Sequence, residues 1–194
     1  MARTKEFDPD AALQSALELF WRRGYEATSM ADLVDHLGIG RASIYATFGN
    51  KHQLYLKALD RYGATEGEIL VHELSGSGSA LDAVRAVVRR FAAESTATET
   101  RLTGCFVTNT ATELGPHDAA AARRVEQGWE HVETLLHSAL VRARAQGELP
   151  EDRDPHALAR MLLVLMQGMR VVGKASDDPA RVRAAAEAAL TLLD

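Results

Sequence analysis

The stretch 28–48 reads TSMADLVDHLGIGRASIYATF, and it limits what the whole chain can become. Met30, Leu33, Val34 and Leu37 recur at i, i+3, i+4 and i+7, the spacing that lays one apolar stripe along a helix. Gly38, Ile39 and Gly40 interrupt it. A second helical stretch follows from Arg41, with Ile44 and Phe48 as its two large apolar anchors, four apart on one face. Two helices joined by a glycine-bearing turn of about three or four residues form a helix-turn-helix. The second helix, of about eight residues at ~1.5 Å each, spans roughly 12 Å, which is too short to stand alone and close to the width of a DNA major groove. Its outer face therefore serves something other than the core. Ala42, Ser43, Ala46 and Thr47 are small enough to let the backbone approach base edges, and Arg41 offers a guanidinium fork to guanine or phosphate.

The flanking residues fit this frame. Asp8 and Pro9 open a helix carrying Leu13, Ala16, Leu17 and Phe20, which ends near Gly24 and holds the angle of the pair that follows. Thr28 and Ser29 can each cap the next helix, and Ser29 with Asp32 has the capping-box spacing. The Thr28 hydroxyl is either such a cap or a contact to a DNA phosphate. Asn50 caps a helix opening at Lys51, and that lysine is either solvated or a phosphate contact. Gly63 and Gly67 weaken this connecting helix, or permit close packing within it. Arg3 and Lys5 precede the first helix on a short basic arm.

Further on, SGSGS at 75–79 is the clearest break in the chain. Leu81, Val84, Val88 and Phe91 then stripe one helix, and 118–146 reads as a longer one with Val125, Trp129, Val132, Leu136, Ala139 and Leu140 inward. Asp154–Pro155 and Asp178–Pro179 mark two matched helix starts. In the first of these helices Leu158, Leu162, Leu165, Met169 and Val172 run at spacings of 4, 3, 4 and 3, and Met161, Leu163, Val164 and Met166 make its other sides apolar too. Val182, Ala186, Ala189 and Leu193 leave a small-residue stripe on the last helix. A helix apolar all round must be buried all round, so both stripes are expected to pair with their copies across a two-fold axis as a four-helix bundle.

Charge raises one objection to a DNA-binding reading, since the net charge is −5. Residues 1–57, however, carry seven Lys/Arg against seven acids, so the deficit lies outside the reading head. Salt dependence of binding is expected to be moderate. The single cysteine, Cys105, excludes an internal disulfide and a cysteine-cluster zinc site. The longest apolar run, 161–166, is far below the ~20 residues that span a bilayer, and the first residues have no signal-peptide pattern, so a cytoplasmic protein without a membrane partner is expected. No catalytic constellation is legible either. HELSG at 72–76 lacks the second histidine of a zinc-protease helix, no Glu-x-x-His pair is present, and the seven histidines are scattered. Neither an enzyme nor a cofactor or metal is expected.

Residues 39–54, IGRASIYATFGNKHQL, with Phe20, Gly24, Tyr25 and Thr28 upstream, resemble the reading head of the TetR family of bacterial transcriptional regulators over roughly residues 6–66. Two features depart from its pattern. Gly40 stands where Ser or Thr often caps the recognition helix, and Ala46 and Thr47 stand where aromatic residues or histidine are common. The resemblance implies phosphate contacts from Tyr45 and Lys51. It also implies a ligand pocket within residues 70–175, for which Tyr62, Phe106, Asn109, Trp129, Met161 and Met166 are candidate lining groups, each equally a plain core residue. GCFVTNTATELG at 104–115 resembles the branch that includes the N-ethylmaleimide-responsive repressor, in which a cysteine senses electrophiles or oxidants. Cys105 follows Gly104 at a helix start, where amide dipoles favour a thiolate, and Lys174 is a candidate activating cation; a small buried hydrophobe is the alternative.

The expected protein is all-α: a three-helix DNA-binding domain at 1–54 and a larger ligand-sensing and dimerisation domain at 55–194, about nine helices in all. Its expected action is that of a homodimeric repressor on a near-palindromic operator, released by a small-molecule or electrophile inducer. A TetR-like activator, or a helical ligand-binding or redox-sensing protein that does not read DNA, stays open at this point.

Overall fold

The computed structural model describes residues 7–194. Among them the backbone forms nine helices of eight or more residues, plus a four-residue segment, and no strand. Arg3 and Lys5 fall outside the described residues.

The helices begin where local chemistry starts them. Asp8 accepts the Asp10 N–H at 2.9 Å and Pro9 occupies the first turn of α1 (Pro9–Arg23). Ser29 opens α2 (Met30–Leu37): its hydroxyl oxygen accepts the Asp32 N–H at 3.1 Å while the Asp32 carboxylate accepts the Ser29 N–H at 2.8 Å. Gly38 ends α2 in the left-handed region, φ 64°, where a Cβ would be strained, and the chain turns into α3 (Arg41–Phe48). Asn50 and Gln53 form a second capping box at the head of α4 (Lys51–Leu74). SGSGS links α4 to α5 (Ala80–Thr96), and the polar stretch after it holds the short α6 (Thr98–Arg101). Then come α7 (Phe106–Glu113), α8 (Ala119–Ala145) capped by Asp118, and α9 (Pro155–Ala175) capped by Asp154. α10 (Ala180–Thr191) starts one residue later than its Asp-Pro signal suggests, although Asp178 still accepts the Ala180 N–H at 2.9 Å.

Two hydrophobic cores result, and α4 belongs to both. Leu54, Tyr55, Leu56, Ala58, Leu59 and Tyr62 complete a core with α1, α2 and α3, into which Phe106, Leu114 and Ala121 also pack from the far side. Leu70 and Leu74 lie in the second, with α5, α8, α9 and α10.

That second core takes up most of the side chains expected at the dimer seam. Leu162, Met169, Val182, Ala186, Ala189 and Leu193 are buried within their own protomer, and Leu158 and Leu165 pack against the same cluster. Each large side chain buried this way contributes about 1.5–3 kcal/mol, so these faces are not available for a partner subunit. A 4-3-4 spacing shows that one helix meets another; here α5 and α8 of the same chain take that place. What α9 presents outward is Val164, 71% exposed, with Val171 and Val172 about two turns on, so Val172, the last position of the expected seam, lies at the surface instead. Close approach of α9 to α5 depends on Gly173, where any Cβ would overlap the carbonyl oxygen of Ser95.

Candidate functional site

The outer face of α3 is open along its length. Ile44 and Phe48 point into the head's core, while Arg41, Ala42, Ser43, Tyr45 and Ala46 are exposed and Thr47 half-buried. Tyr45 is 43% exposed, and the Arg41 guanidinium lies 5.9 Å from the centre of its ring. A short helix is thus held by two anchors with a small, hydrogen-bonding, singly cationic face left to solvent.

Two residues expected at this surface do other work. Thr28 is fully buried, and its hydroxyl donates to the Gly24 carbonyl at 2.7 Å, so it neither caps α2 nor faces a phosphate; Ser29 next to it supplies the cap. Lys51 donates from Nζ to the carbonyls of Tyr25 at 2.9 Å and Thr28 at 3.0 Å and lies 3.9 Å from the centre of the Tyr25 ring. Its ammonium ties the α1–α2 loop to α4, a task satisfied before any DNA arrives.

The head is gripped from the far side by residues with no local sequence signal. Glu113, the last residue of α7, accepts the backbone N–H of Tyr25 at 3.0 Å and of Glu26 at 2.9 Å through its two carboxylate oxygens. Tyr55 on α4 shares a 2.8 Å hydrogen bond with the Thr110 hydroxyl on α7, and burial pushes its phenol above the ordinary tyrosine range. His52 Nε2 meets the Asp118 carboxylate at 2.5 Å. Asp118 titrates below its usual range, chiefly because it accepts backbone N–H groups at the start of α8 and then because His52 is beside it. Side chains from Phe20, Tyr25, Tyr55, Phe106 and Tyr62 meet through this junction, edge to face with centroids 5.0–5.8 Å apart except for the stacked Phe20–Tyr25 pair at 6.5 Å.

Between α4 and α8, floored by residues of α5, α7 and α9, lies a cavity of about 910 Å³. Tyr62, Gly63, Cys105, Trp129, Gln167 and Arg170 are among its lining residues. Burial pushes the Tyr62 phenol well up, and the Cys105 thiol beside it adds to the effect. Trp129 is only partly buried because it faces this space, and Val132 borders both the space and the second core. Gly67 packs under His131, whereas Gly63 meets no neighbour and opens onto the cavity.

Of the pocket residues named from sequence, Tyr62, Cys105 and Trp129 come together at this cavity, and the others do not. Phe106 is buried between the Tyr55 and Tyr62 rings. Met166 is fully buried and Met161 packs against the same core cluster. Asn109 turns away: its amide nitrogen donates to the Thr103 carbonyl at 2.9 Å and its oxygen accepts from Lys174 Nζ at 3.1 Å. Lys174 is thereby engaged with Asn109, not with Cys105, and desolvation lowers its pKa. Helical periodicity identifies an inward side chain but cannot tell a filled interior from a hollow one.

An outward helix-turn-helix mounted on a helical body with a sheltered cavity defines a one-component DNA-binding regulator. Residues 12–58 match the model of bacterial regulatory proteins of the tetR family, and residues 80–189 match the tetracyclin repressor-like C-terminal domain. The HTH-type transcriptional regulator YezE of Bacillus subtilis (strain 168) is 35% identical over all of this chain and all of its own. The HTH-type transcriptional repressor ComR of Escherichia coli (strain K12) is 36% identical over 87% of this chain and 80% of its own length. The solved structure of a cysteine mutant of the TetR family regulator CifR, complexed with a 26-base-pair operator duplex, superposes with a TM-score of 0.86 at 31% identity, covering both chains fully. The chain belongs to the TetR family of transcriptional regulators.

Proposed function

We propose that the protein is a homodimeric repressor that places one α3 in the major groove of each half of a near-palindromic operator, the half-sites lying about 34–36 Å apart or a multiple of it. The observation that carries this reading is the exposed face of α3, with Arg41, Ser43 and Tyr45 outward over the buried anchors Ile44 and Phe48. The ComR relative is named a repressor, and CifR is seen on operator DNA, which supports the same action here. Residues 1–54 read DNA, and residues 55–194 sense and dimerise. The partner subunit meets the stripe around Val164, Val171 and Val172, the largest apolar surface α9 leaves uncovered. No helix among the described residues is long and apolar enough to cross a membrane, in keeping with action in the cytoplasm.

The signal enters the cavity. A small molecule bound there, or an electrophile adding to Cys105 at its wall, moves α7 and through it the head; a few kcal/mol of differential affinity suffices to release DNA. A mobility shift on DNA flanking the protein's own gene tests both halves. Arg41→Ala and Tyr45→Ala are expected to abolish or strongly weaken the shift, and intact binding by both variants would reject the DNA-reading role. An electrophile is expected to release wild-type protein; unchanged release from Cys105→Ser would leave the cysteine as packing alone.

A further inference from the structure

The exposed face of α3 is poor in the groups that tell bases apart by hydrogen bonding. Of its exposed residues Arg41, Ala42, Ser43, Tyr45 and Ala46, only Arg41 has a side chain able to bond two edge atoms of one base at once. Asn, Gln, Lys, Asp and Glu are absent from the whole helix. The Ser43 and Tyr45 hydroxyls each form single bonds, and a hydroxyl fits more than one base. Gly40 opens the helix without a side chain, and a Cβ built there would meet nothing within 4 Å. Arg41 and Tyr45 occupy one stripe of the helix, the guanidinium 5.9 Å from the ring centre. The next stripe is Ala42 and Ala46, two bare methyl groups left open to solvent.

Methyl groups discriminate between bases by what they dehydrate. An alanine methyl pressed on the amino group of cytosine or adenine strips its water and offers no acceptor in return. Thymine alone presents an apolar group to the major groove, its C5-methyl, and contact there releases water from two apolar surfaces at once. An alanine stripe therefore favours thymine over the other bases. Four residues of helix rise ~6 Å and base pairs stack ~3.4 Å apart, so the two methyls reach thymines about two base steps from each other.

We infer that Ala42 and Ala46 set the operator specificity of this protein by reading the methyl groups of two thymines in each half-site, with one guanine held by Arg41. This rests on the DNA-reading role proposed above and names the base chemistry of its partner. The duplex that shifts from the DNA flanking the protein's own gene is remade with uracil in place of thymine, one position at a time in both half-sites. Full-length protein is titrated into each labelled duplex and binding is followed by fluorescence anisotropy. Each methyl is expected to be worth about fourfold, so two positions lose about fifteenfold when both half-sites are changed, and the other thymines lose little. Ala46→Gly is expected to bring the thymine and uracil duplexes within about twofold at one of those positions and to keep the loss at the other; Ala42→Gly is expected to do the converse. Ser43→Gly weakens the helix by as much and is expected to keep both losses, which controls for helix propensity.

Losses below about twofold at every thymine, losses that survive both alanine-to-glycine changes, or losses that Ser43→Gly abolishes equally would each overturn the inference. The mobility shift on unmodified DNA separates this failure from the other. A shift that persists while uracil is tolerated throughout leaves the DNA-reading role standing and removes only the methyl readout. A protein that shifts no flanking duplex loses both.

Discussion

Glu66 is a residue at which the native state gives up stability. Burial in the cavity wall raises its pKa above the usual 4.5, with the neighbouring arginines only partly opposing the effect. For an acid raised in the folded state, the contribution to stability is fully favourable below the unfolded value and is lost as pH climbs through the folded one. Glu66→Gln is therefore expected to raise Tm at pH 7, by about 2–4 °C for each kcal/mol relieved, and to change it little at pH 4; thermal melts at the two pH values check this. Gly173 makes the opposite case. Gly173→Ala forces a Cβ against the Ser95 carbonyl and should cost about 1–3 kcal/mol in urea unfolding, because α9 cannot keep its distance from α5. Neither effect is legible in the sequence, since Glu66 looks like any helical glutamate and Gly173 like a weak point near a helix end. By contrast, Ser29, Asn50 and Asp154 are readable as caps, and Ile44 and Phe48 as anchors, because their partners lie within four residues. Thr28 sits among those caps and was misread, since its hydroxyl turns back to Gly24 instead.

At the scale of elements, α7 is the part that joins the cavity to the head. Cys105, its N-cap residue, lines the cavity; Phe106 and Thr110 meet Tyr55; and Glu113 at its other end holds the α1–α2 loop. The grip crosses 87 and 88 residues of chain, which explains why no local pattern announces it. Glu113→Gln removes the charge from two hydrogen bonds and leaves only one oxygen to accept. Bonds of this kind are worth about 1.5–3 kcal/mol each, so operator affinity is expected to fall by about tenfold or more in a direct titration. Unchanged affinity would mean that the aromatic junction positions the head without Glu113. The α9 stripe illustrates the complementary limit of sequence reading. Spacings of 4, 3 and 4 identify a buried seam correctly, yet the identity of the helix that fills it depends on tertiary topology.

For the molecule as a whole, the exposed valines of α9 decide whether two heads act together. Val164→Glu places a charge in the middle of that apolar surface, and it is expected to yield monomer in sedimentation at micromolar concentration and to lose operator binding, since one head alone has half the contacts. A variant that stays dimeric would move the interface elsewhere on the body. The all-helical architecture was readable from caps, glycine breaks and apolar periodicity; the hollow between α4 and α8 was not, because an inward tryptophan such as Trp129 looks the same whether it meets a leucine or empty space. Finally, the passage of α4 through both cores has a practical consequence. Cut off after Leu54, the first three helices would lose Tyr55, Leu59 and Tyr62 together with the more distant Phe106, Leu114 and Ala121 that roof them. Such a fragment should not persist as a portable module, and a chimaera grafting this head onto another body must bring those borrowed residues along.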